Sequence, residues 1–235
     1  MCTVSFVNSQ GKIIITSNRD EQVLRPAAAP KNYLINQKNL IFPKDPKAGG
    51  TWFAVDEQAN VIVLLNGADE KHDWNPPYRR SRGLILLDIF SSESAIENWQ
   101  NIDLSNVEPF TLVLFQDQQL YQLRWNSSNK ELKKLNKEQN YVWSSSTLYN
   151  SEIRGKRAEW FYQFLDTIPE VNEEELILFH KYSNNDNKEN GLVINRNDKL
   201  KTLSITQTVI EQNKVNLAHH DLINQDEFTN SFLIV

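Results

Sequence analysis

The sequence predicts an α+β fold, a layered sandwich in which antiparallel sheets carry helices on their outer faces. Many short segments are rich in β-branched and aromatic residues, as is typical of strands. Two separate blocks instead show the spacing of amphipathic helices. The order runs strands, helices, strands, helices, strands. This order favours a layered sandwich over a doubly wound parallel sheet, in which βαβ units would alternate throughout.

The strand predictions begin with segments 3–7 and 12–18, which flank a turn-forming segment at 8–11 and therefore predict a hairpin. The remaining predicted strands share a high content of β-branched and aromatic residues: 51–55, 60–65, 110–116, 120–125, 141–145, 190–195, 202–210 and 214–219.

The first helical block runs from about residue 80 to residue 100 and is interrupted near 90–92. The second block predicts a pair of helices. Its first helix has four side chains at the i, i+3, i+4 and i+7 positions of one face: Ala158, Phe161, Tyr162 and Leu165. Asn172, followed three residues later by Glu175, predicts the cap of the second helix.

Length and composition predict a single domain over residues 1–235. The 25 basic and 30 acidic side chains are scattered and give a net charge of −5, which disfavours nucleic acid and anionic membranes as partners. No apolar run is long enough for a transmembrane segment, and the N-terminus lacks the pattern of a signal peptide. Together with one unpaired cysteine, these features predict a cytoplasmic protein. The oligomeric state stays open.

Cys2 is the only cysteine of the chain, so it cannot form an internal disulfide. A hairpin that turns at residues 9–10 pairs positions whose numbers add to 19 or 20, which places Cys2 opposite position 17 or 18. Arg19 and Asp20 would then lie beside the thiol. A neighbouring guanidinium favours the thiolate, and an acid can orient an amine. The alternative is that the SNRDE segment, residues 17–21, is only a solvated turn.

Other familiar chemistries lack their signatures. The chain has no CxxC, HExxH, GxGxxG or phosphate-loop pattern, so the sequence predicts no metal site and no required cofactor. His219 and His220 are adjacent on a predicted strand, where they would point to opposite faces. His72 and His180 are predicted to lie on the surface.

Several motifs, taken in order, resemble the NRDE family, also called the transport and Golgi organisation 2 family. They are MCTVSF at 1–6, SNRDE at 17–21, RP at 25–26, AGGTW at 48–52, LLNG at 64–67 and RRSRG at 79–83. The resemblance is close over roughly the first 90 residues and weaker towards the C-terminus. The family is grouped with the N-terminal-nucleophile hydrolases. This grouping implies a four-layer αββα sandwich of two antiparallel sheets, in agreement with the predicted order of elements.

The resemblance implies roles for four catalytic residues. In the cysteine branch of these hydrolases the initiator methionine is removed, so Cys2 would attack a carbonyl carbon and its freed α-amine would act as general base. Arg19 matches the arginine beside the nucleophile, Asp20 the acid that holds the α-amine, and Asn66 the asparagine of the oxyanion hole. The implied reaction is hydrolysis of an amide or thioester of a small-molecule acyl compound.

The chain departs from the hydrolase pattern at two points. Ser145 stands about where these hydrolases place a second asparagine, and a hydroxyl could substitute for an amide only in part. The late arginine of the hydrolases has no assigned equivalent, since the region offers only Arg196.

A second hypothesis is therefore a non-catalytic protein that binds or carries haem or an acyl-coenzyme A. Family members are linked to haem trafficking and to acyl-coenzyme A and lipid metabolism, so haem is a possible bound ligand. The candidate binding residues under either hypothesis are Asn18, Arg79, Arg80 and Ser145. Arg79 and Arg80, with Arg82, form a local basic cluster that would suit a carboxylate, phosphate or propionate group.

Overall fold

A computed structural model describes residues 3–234, so Cys2 lies outside the described residues. The helices are α1 Arg82–Phe90, α2 Ala95–Asn101, α3 Ser151–Thr167 and α4 Glu173–Tyr182. The strands are β1 Thr3–Ser9, β2 Lys12–Gln22, β3 Ala28–Ile35, β4 Lys38–Lys44, β5 Phe53–Asp56, β6 Val61–Asn66, β7 Phe110–Gln116, β8 Gln119–Trp125, β9 Lys130–Leu135, β10 Tyr141–Ser144, β11 Asn195–Arg196, β12 Leu200–Glu211, β13 Lys214–Asp221 and β14 Glu227–Leu233.

The chain divides into two compact units. The first contains the residues up to Pro26 together with those from Glu138 onward, and the second is Ala27–Lys137. Within the described residues, each unit has one seven-stranded sheet with antiparallel pairing and two helices. The predicted α+β class with antiparallel sheets is thereby confirmed, while the single domain over residues 1–235 stays a prediction. Within residues 3–234, no helix has the length and apolar character needed to cross a bilayer.

The sheet of the first unit has the strand order β10-β1-β2-β12-β13-β14, and β11 pairs with β12. β2 lies between β1 and β12 and is buried from Ile13 to Asp20, so both of its faces are covered. Such a strand has no clean alternation of polar and apolar residues.

The hairpin of β1 and β2 turns one position later than predicted. Gln10 and Gly11 both have positive φ, 52° and 79°, which is the conformation of a two-residue turn whose twist matches that of the flanking strands. The paired numbers consequently add to 21, from Ser9↔Lys12 to Thr3↔Asn18. The predicted sums of 19 and 20 are wrong because they assume a turn at residues 9–10, whereas the turn lies at residues 10–11.

The helices α3 and α4 cover one face of this sheet. Their buried side chains Phe161, Leu176 and Phe179 pack in one cluster with Ile14 and Val209 of the central strands. The predicted cap of α4 is confirmed as a capping box, in which the side chains of residues 172 and 175 bond each other's backbone. The predicted stripe of α3 is only partly right, because residue 162 is 45% exposed while residue 157 is fully buried.

The sheet of the second unit is a meander in the order β3 to β9, and glycines set its packing against α1. A Cβ on Gly50 would lie 2.4 Å from the backbone of Gly83, and a Cβ on Gly83 would lie 2.7 Å from the carbonyl oxygen of Thr51. The AGGTW and RRSRG motifs therefore meet where two backbones touch. Trp52, the last residue of the AGGTW motif, is 2% exposed.

Four observed strands have no counterpart among the predictions: β3, β4, β9 and β14. Three of them, β3, β9 and β14, lie at sheet edges, where polar side chains are common and weaken the sequence signal. β9 has the sequence KELKKL and buries none of its residues. Conversely, the strand predicted at 190–195 is reduced to the two residues of β11, because most of this segment belongs to the loop that follows α4.

His180 is buried completely, so the prediction of a surface position is wrong. Its Nε2 lies 2.7 Å from the hydroxyl of Ser5, and its Nδ1 lies 2.5 Å from Oδ1 of Asn18. The Asn18 amide donates to the carbonyl oxygens of His180, at 3.1 Å, and Leu192, at 2.8 Å. These contacts fasten α4 and the loop after it to β1 and β2. Three internal hydrogen bonds thus occupy the Asn18 amide, a candidate binding group.

Burial, and to a smaller extent the charge of Arg157, lowers the pKa of His180 from 6.5 to about 3. The unfolded chain therefore takes up a proton at this residue near pH 6.5, whereas the folded chain does so only near pH 3. The corresponding stability is present above pH 6.5 and is lost as the pH falls towards 3.

We expect the free energy of unfolding to fall between pH 7 and pH 4, with a share on the order of 3 kcal/mol from His180. His180→Gln should be less stable at pH 7 but should show a shallower loss towards pH 4 in urea titrations. Val7→Ala, a core variant without a titratable group, is the control and should keep the wild-type pH dependence. Equal slopes for His180→Gln and the wild type would contradict this account.

Candidate functional site

Arg19 and Asp20 lie within β2, where only 2% and 3% of their surfaces are exposed. The strand continues to Gln22, so the alternative of a solvated turn at SNRDE is wrong. Successive residues of a strand point to opposite faces, and Arg19 and Asp20 therefore face different sides of the sheet. Both follow Asn18, which pairs with Thr3, the first described residue.

The Asp20 carboxylate lies on the face covered by α3 and α4. Tyr149 donates its hydroxyl to Oδ2 at 2.9 Å, and Thr202 donates to Oδ1 at 2.5 Å. Each carboxylate oxygen therefore accepts from a neutral hydroxyl. Since Thr202 is on β12 and Tyr149 lies between β10 and α3, two separate parts of the chain hold this carboxylate of β2.

The Arg157 guanidinium, fully buried on α3, adjoins this group. Its carbon lies 3.7 Å from the centre of the Tyr149 ring, and Nη2 donates to the Tyr149 hydroxyl at 2.9 Å. Nη1 donates to the hydroxyl of Thr3, and further bonds reach the carbonyl oxygens of Asn190 and Gly191. The arginine thus ties α3 to the start of β1 and to the loop after α4.

Arg19 points to the opposite face of the sheet, where Nη1 donates to the carbonyl oxygen of Arg25 at 2.9 Å. Ser204 pairs directly with Arg19 across β12. The side-chain oxygens of Ser17 and Ser204 on this face are buried without a hydrogen-bond partner among the described residues. His219 lies on β13, and its pKa is lowered to about 4, mainly by burial. The guanidinium of Arg19 therefore stands in a polar, water-poor setting.

Asn66 belongs to the second unit and occupies the end of β6, as predicted. It is half-buried and pairs with Phe110 of β7. Gly67 follows in the left-handed region, with φ of 84°, and its amide donates to the carbonyl oxygen of Pro109 at 3.0 Å. The chain turns sharply at this point, so the end of β6 and its asparagine are fixed by backbone bonds.

Ser145 directly follows β10 and is 1% exposed. Its hydroxyl lies 2.9 Å from that of Thr147, and its carbonyl oxygen accepts from the amide of Tyr149 at 3.1 Å. The WSSSTL segment, residues 143–148, therefore forms the turn that places Tyr149 next to Asp20. This is a structural contribution that the comparison with hydrolase asparagines did not suggest.

The basic cluster of residues 79–82 is a set of ion pairs. Arg80 makes two bonds of 2.6 Å to Asp88, and its pKa is raised chiefly by that hydrogen bonding. The other two pairs are Arg79 with Asp103, at 3.4 Å, and Arg82 with Glu108, at 3.0 Å. Each of these three arginines is therefore already paired with a carboxylate of the chain. The binding roles of Arg79 and Arg80 stay predictions.

The sequence did not predict three of the site's polar residues: Arg157, Tyr149 and Thr202. The sequence has a signal for one of them: Arg157 lies four residues before Phe161 and therefore on the same helix face as this core side chain. Tyr149 and Thr202 carry no such local signal, because only tertiary contact with Asp20 distinguishes them. Among residues 3–234, no group of three or more His, Cys, Asp or Glu side chains is arranged to hold a metal ion.

The family described as Transport and Golgi organisation 2 matches residues 1–221. The chain belongs to this family. The resemblance seen in the N-terminal motifs is thereby confirmed, and it extends over nearly the whole sequence. A search of curated proteins gives no match.

Solved structures with a similar fold include an orthologue of N-acylethanolamine-hydrolysing acid amidase from Caenorhabditis elegans. It is 12% identical with a TM-score of 0.63, over 88% of this chain and 92% of that one. A cysteine-to-alanine mutant of the conjugated bile acid hydrolase of Clostridium perfringens is 9% identical with a TM-score of 0.55, over 100% of this chain and 92% of that one. An arginine-to-leucine variant of the same hydrolase is also 9% identical with a TM-score of 0.55, over 97% of this chain and 92% of that one. At these identities the likeness shows the fold alone, which is that of the N-terminal-nucleophile hydrolases.

In this member of the Transport and Golgi organisation 2 family, Tyr149→Phe removes the hydroxyl that links Arg157 to Asp20. We expect it to lower the free energy of unfolding by about 1–3 kcal/mol, because a buried carboxylate and a buried guanidinium each lose a partner. Urea titration measures the change. Tyr162→Phe, at a position 45% exposed, is the matched control and should cost less than about 0.5 kcal/mol. Equal effects of the two variants would refute the buried network.

Proposed function

We propose that this protein is an N-terminal-cysteine hydrolase that cleaves an amide or thioester bond of an acyl compound. The observation that carries the proposal is the burial of Arg19 and Asp20 on the strand paired with β1, which begins at Thr3, the residue after Cys2. Burying a charge is costly, so two charged side chains buried on the strand that pairs with β1 favour a chemical role. The family and the fold support the same assignment.

The proposed reaction starts after removal of Met1. The free α-amine of Cys2 takes the thiol proton, and the thiolate attacks the carbonyl carbon of the substrate. A tetrahedral oxyanion forms, and the family resemblance implies that the Asn66 amide donates a hydrogen bond to it. The α-ammonium then protonates the leaving amine or thiol, and an acyl thioester remains on Cys2. Water, deprotonated by the same amine, attacks this thioester and releases the carboxylic acid and the free thiol.

Asp20 and Arg19 have different tasks in this scheme. Asp20, oriented by Tyr149 and Thr202, accepts hydrogen bonds from the α-amine and stabilises its protonated form. The Arg19 guanidinium favours the thiolate of Cys2 and is held in place by its bond to the Arg25 carbonyl oxygen. No histidine is required, because the amine of the nucleophilic residue is itself the base.

Because Cys2 is the only cysteine, alkylation by iodoacetamide reports on this thiol alone. We expect Cys2→Ser to reduce turnover of amide or thioester substrates by at least about 100-fold, since a hydroxyl stays protonated at neutral pH. Arg19→Ala should slow alkylation at pH 7 roughly tenfold by raising the thiol pKa. Arg124→Ala, which breaks ion pairs with Asp69 and Glu131, is the control and should leave both rates unchanged. Turnover that survives Cys2→Ser would refute the proposed nucleophile.

A second experiment distinguishes this proposal from the alternative of a haem or acyl-coenzyme A carrier. A panel of acyl amides and thioesters is incubated with the protein, and mass spectrometry detects any acyl adduct on Cys2. Absence of an adduct and of turnover, together with tight binding of haem or an acyl-coenzyme A that persists in Cys2→Ser, would replace the hydrolase proposal with the carrier.

The mechanism also requires a free α-amine on Cys2. We expect protein isolated from its native host to have an intact mass lower than that of the full sequence by one methionine residue. A variant with a bulky residue in place of Cys2, such as Cys2→Leu, should keep Met1, because the aminopeptidase that removes it requires a small second residue. Retention of Met1 throughout the native material would leave the proposed mechanism without its base.

A further inference from the structure

The guanidinium of Arg157 connects two parts of the candidate site. One arm donates to the hydroxyl of Thr3 at the start of β1. The other arm donates at 2.9 Å to the hydroxyl of Tyr149, which in turn donates at 2.9 Å to Asp20. A single rigid cation therefore spans the distance between the residue after Cys2 and the carboxylate proposed to hold the α-amine.

We infer that Arg157 is a positioning residue that fixes the start of β1 relative to the Asp20 carboxylate and thereby orients Cys2 for reaction. The inference rests on the proposed function because it takes Cys2 as the reacting residue. Arg157 acts through Thr3 and Tyr149.

The contacts require an arginine at this position. The planar guanidinium stacks on the ring of Tyr149 at 3.7 Å while its nitrogens donate in several directions. Nε reaches the carbonyl oxygen of Asn190 at 3.1 Å, and Nη2 also reaches that of Gly191. A lysine side chain has a single ammonium nitrogen, so it cannot donate to the hydroxyls of both Thr3 and Tyr149 with the same geometry.

The loop after α4 leaves this cation little freedom to move. A Cβ on Gly191 would lie 2.2 Å from the carbonyl oxygen of Asn184, so the loop is closed tightly on itself at the position that contacts Arg157. The next residue, Leu192, accepts from Asn18 of β2 at 2.8 Å. The guanidinium is thus held by a loop that is itself anchored to the central strand.

The bond between Arg157 and Thr3 can be removed with little change of shape. Thr3→Val replaces the hydroxyl with a methyl group of similar size, whereas Thr3→Ser keeps the hydroxyl. Arg157→Lys removes the fork but keeps the charge. All three variants leave Cys2, Arg19 and Asp20 in the chain, so a change in thiol chemistry reports on positioning.

The test measures the rate of Cys2 alkylation by iodoacetamide from pH 5 to pH 10, with urea titrations to verify folding. We expect Thr3→Val to slow alkylation about fivefold at pH 7 and to shift the pH profile of the rate to higher pH. Thr3→Ser should keep the wild-type profile. Arg157→Lys should resemble Thr3→Val, and it decides the question if Thr3→Val does not fold. Where a substrate is found, kcat should fall and KM should stay constant. Wild-type alkylation profiles in folded Thr3→Val or folded Arg157→Lys would overturn the inference and leave the contact a structural one.

Failure of this inference is distinguishable from failure of the proposed function. If the wild type hydrolyses no amide or thioester but Thr3→Val and Thr3→Ser still differ in alkylation, the hydrolase proposal fails and the positioning role stands. If the wild type turns over substrate and folded Thr3→Val does so at the same rate, the hydrolase proposal stands and the positioning role of Arg157 fails.

Discussion

The antiparallel pairing of β2 with β12 is the interaction on which the first unit depends. It joins residues from opposite ends of the chain, from Lys12↔Glu211 to Leu200↔Gln22, and places β2 in the interior of the sheet. Pairs so distant in sequence form only after a long loop has closed, which costs entropy that burial of the strand must offset. Once formed, this ladder brings Thr202 to Asp20, so the geometry of the candidate site follows from the pairing of the sheet.

The polar residues on the helix-facing side of β2 have two different kinds of partner. Asn18 and His180 satisfy each other and nearby carbonyl oxygens, and this group stabilises the packing of α4. Asp20, two residues further along the same face, instead receives bonds from Tyr149 and Thr202. A buried polar network is stable only when its members are satisfied, so the structural group and the candidate site support each other through one strand.

Local patterns in the sequence account for the helices, the cap at Asn172 and the interior strands other than β4, because spacing and capping depend on near neighbours. The register of the first hairpin could not be read in the same way, since it depends on whether Gln10 adopts positive φ. His180 was misplaced because its burial is decided by Ser5 and Asn18, more than 160 positions away. The SNRDE motif located the candidate site, but its supporting residues are recognisable only in three dimensions.

The ionisable side chains Arg80 and Asp20 have different kinds of partner. Arg80 and Asp88 neutralise each other through two short bonds on a partly exposed surface, where such a pair contributes little to stability. Asp20 is buried, and the hydroxyls of Tyr149 and Thr202 orient its carboxylate. In the proposed mechanism this oriented carboxylate accepts hydrogen bonds from the α-ammonium that forms when Cys2 gives up its thiol proton. Burial and a fixed orientation distinguish Asp20 from a partly exposed acid such as Asp88.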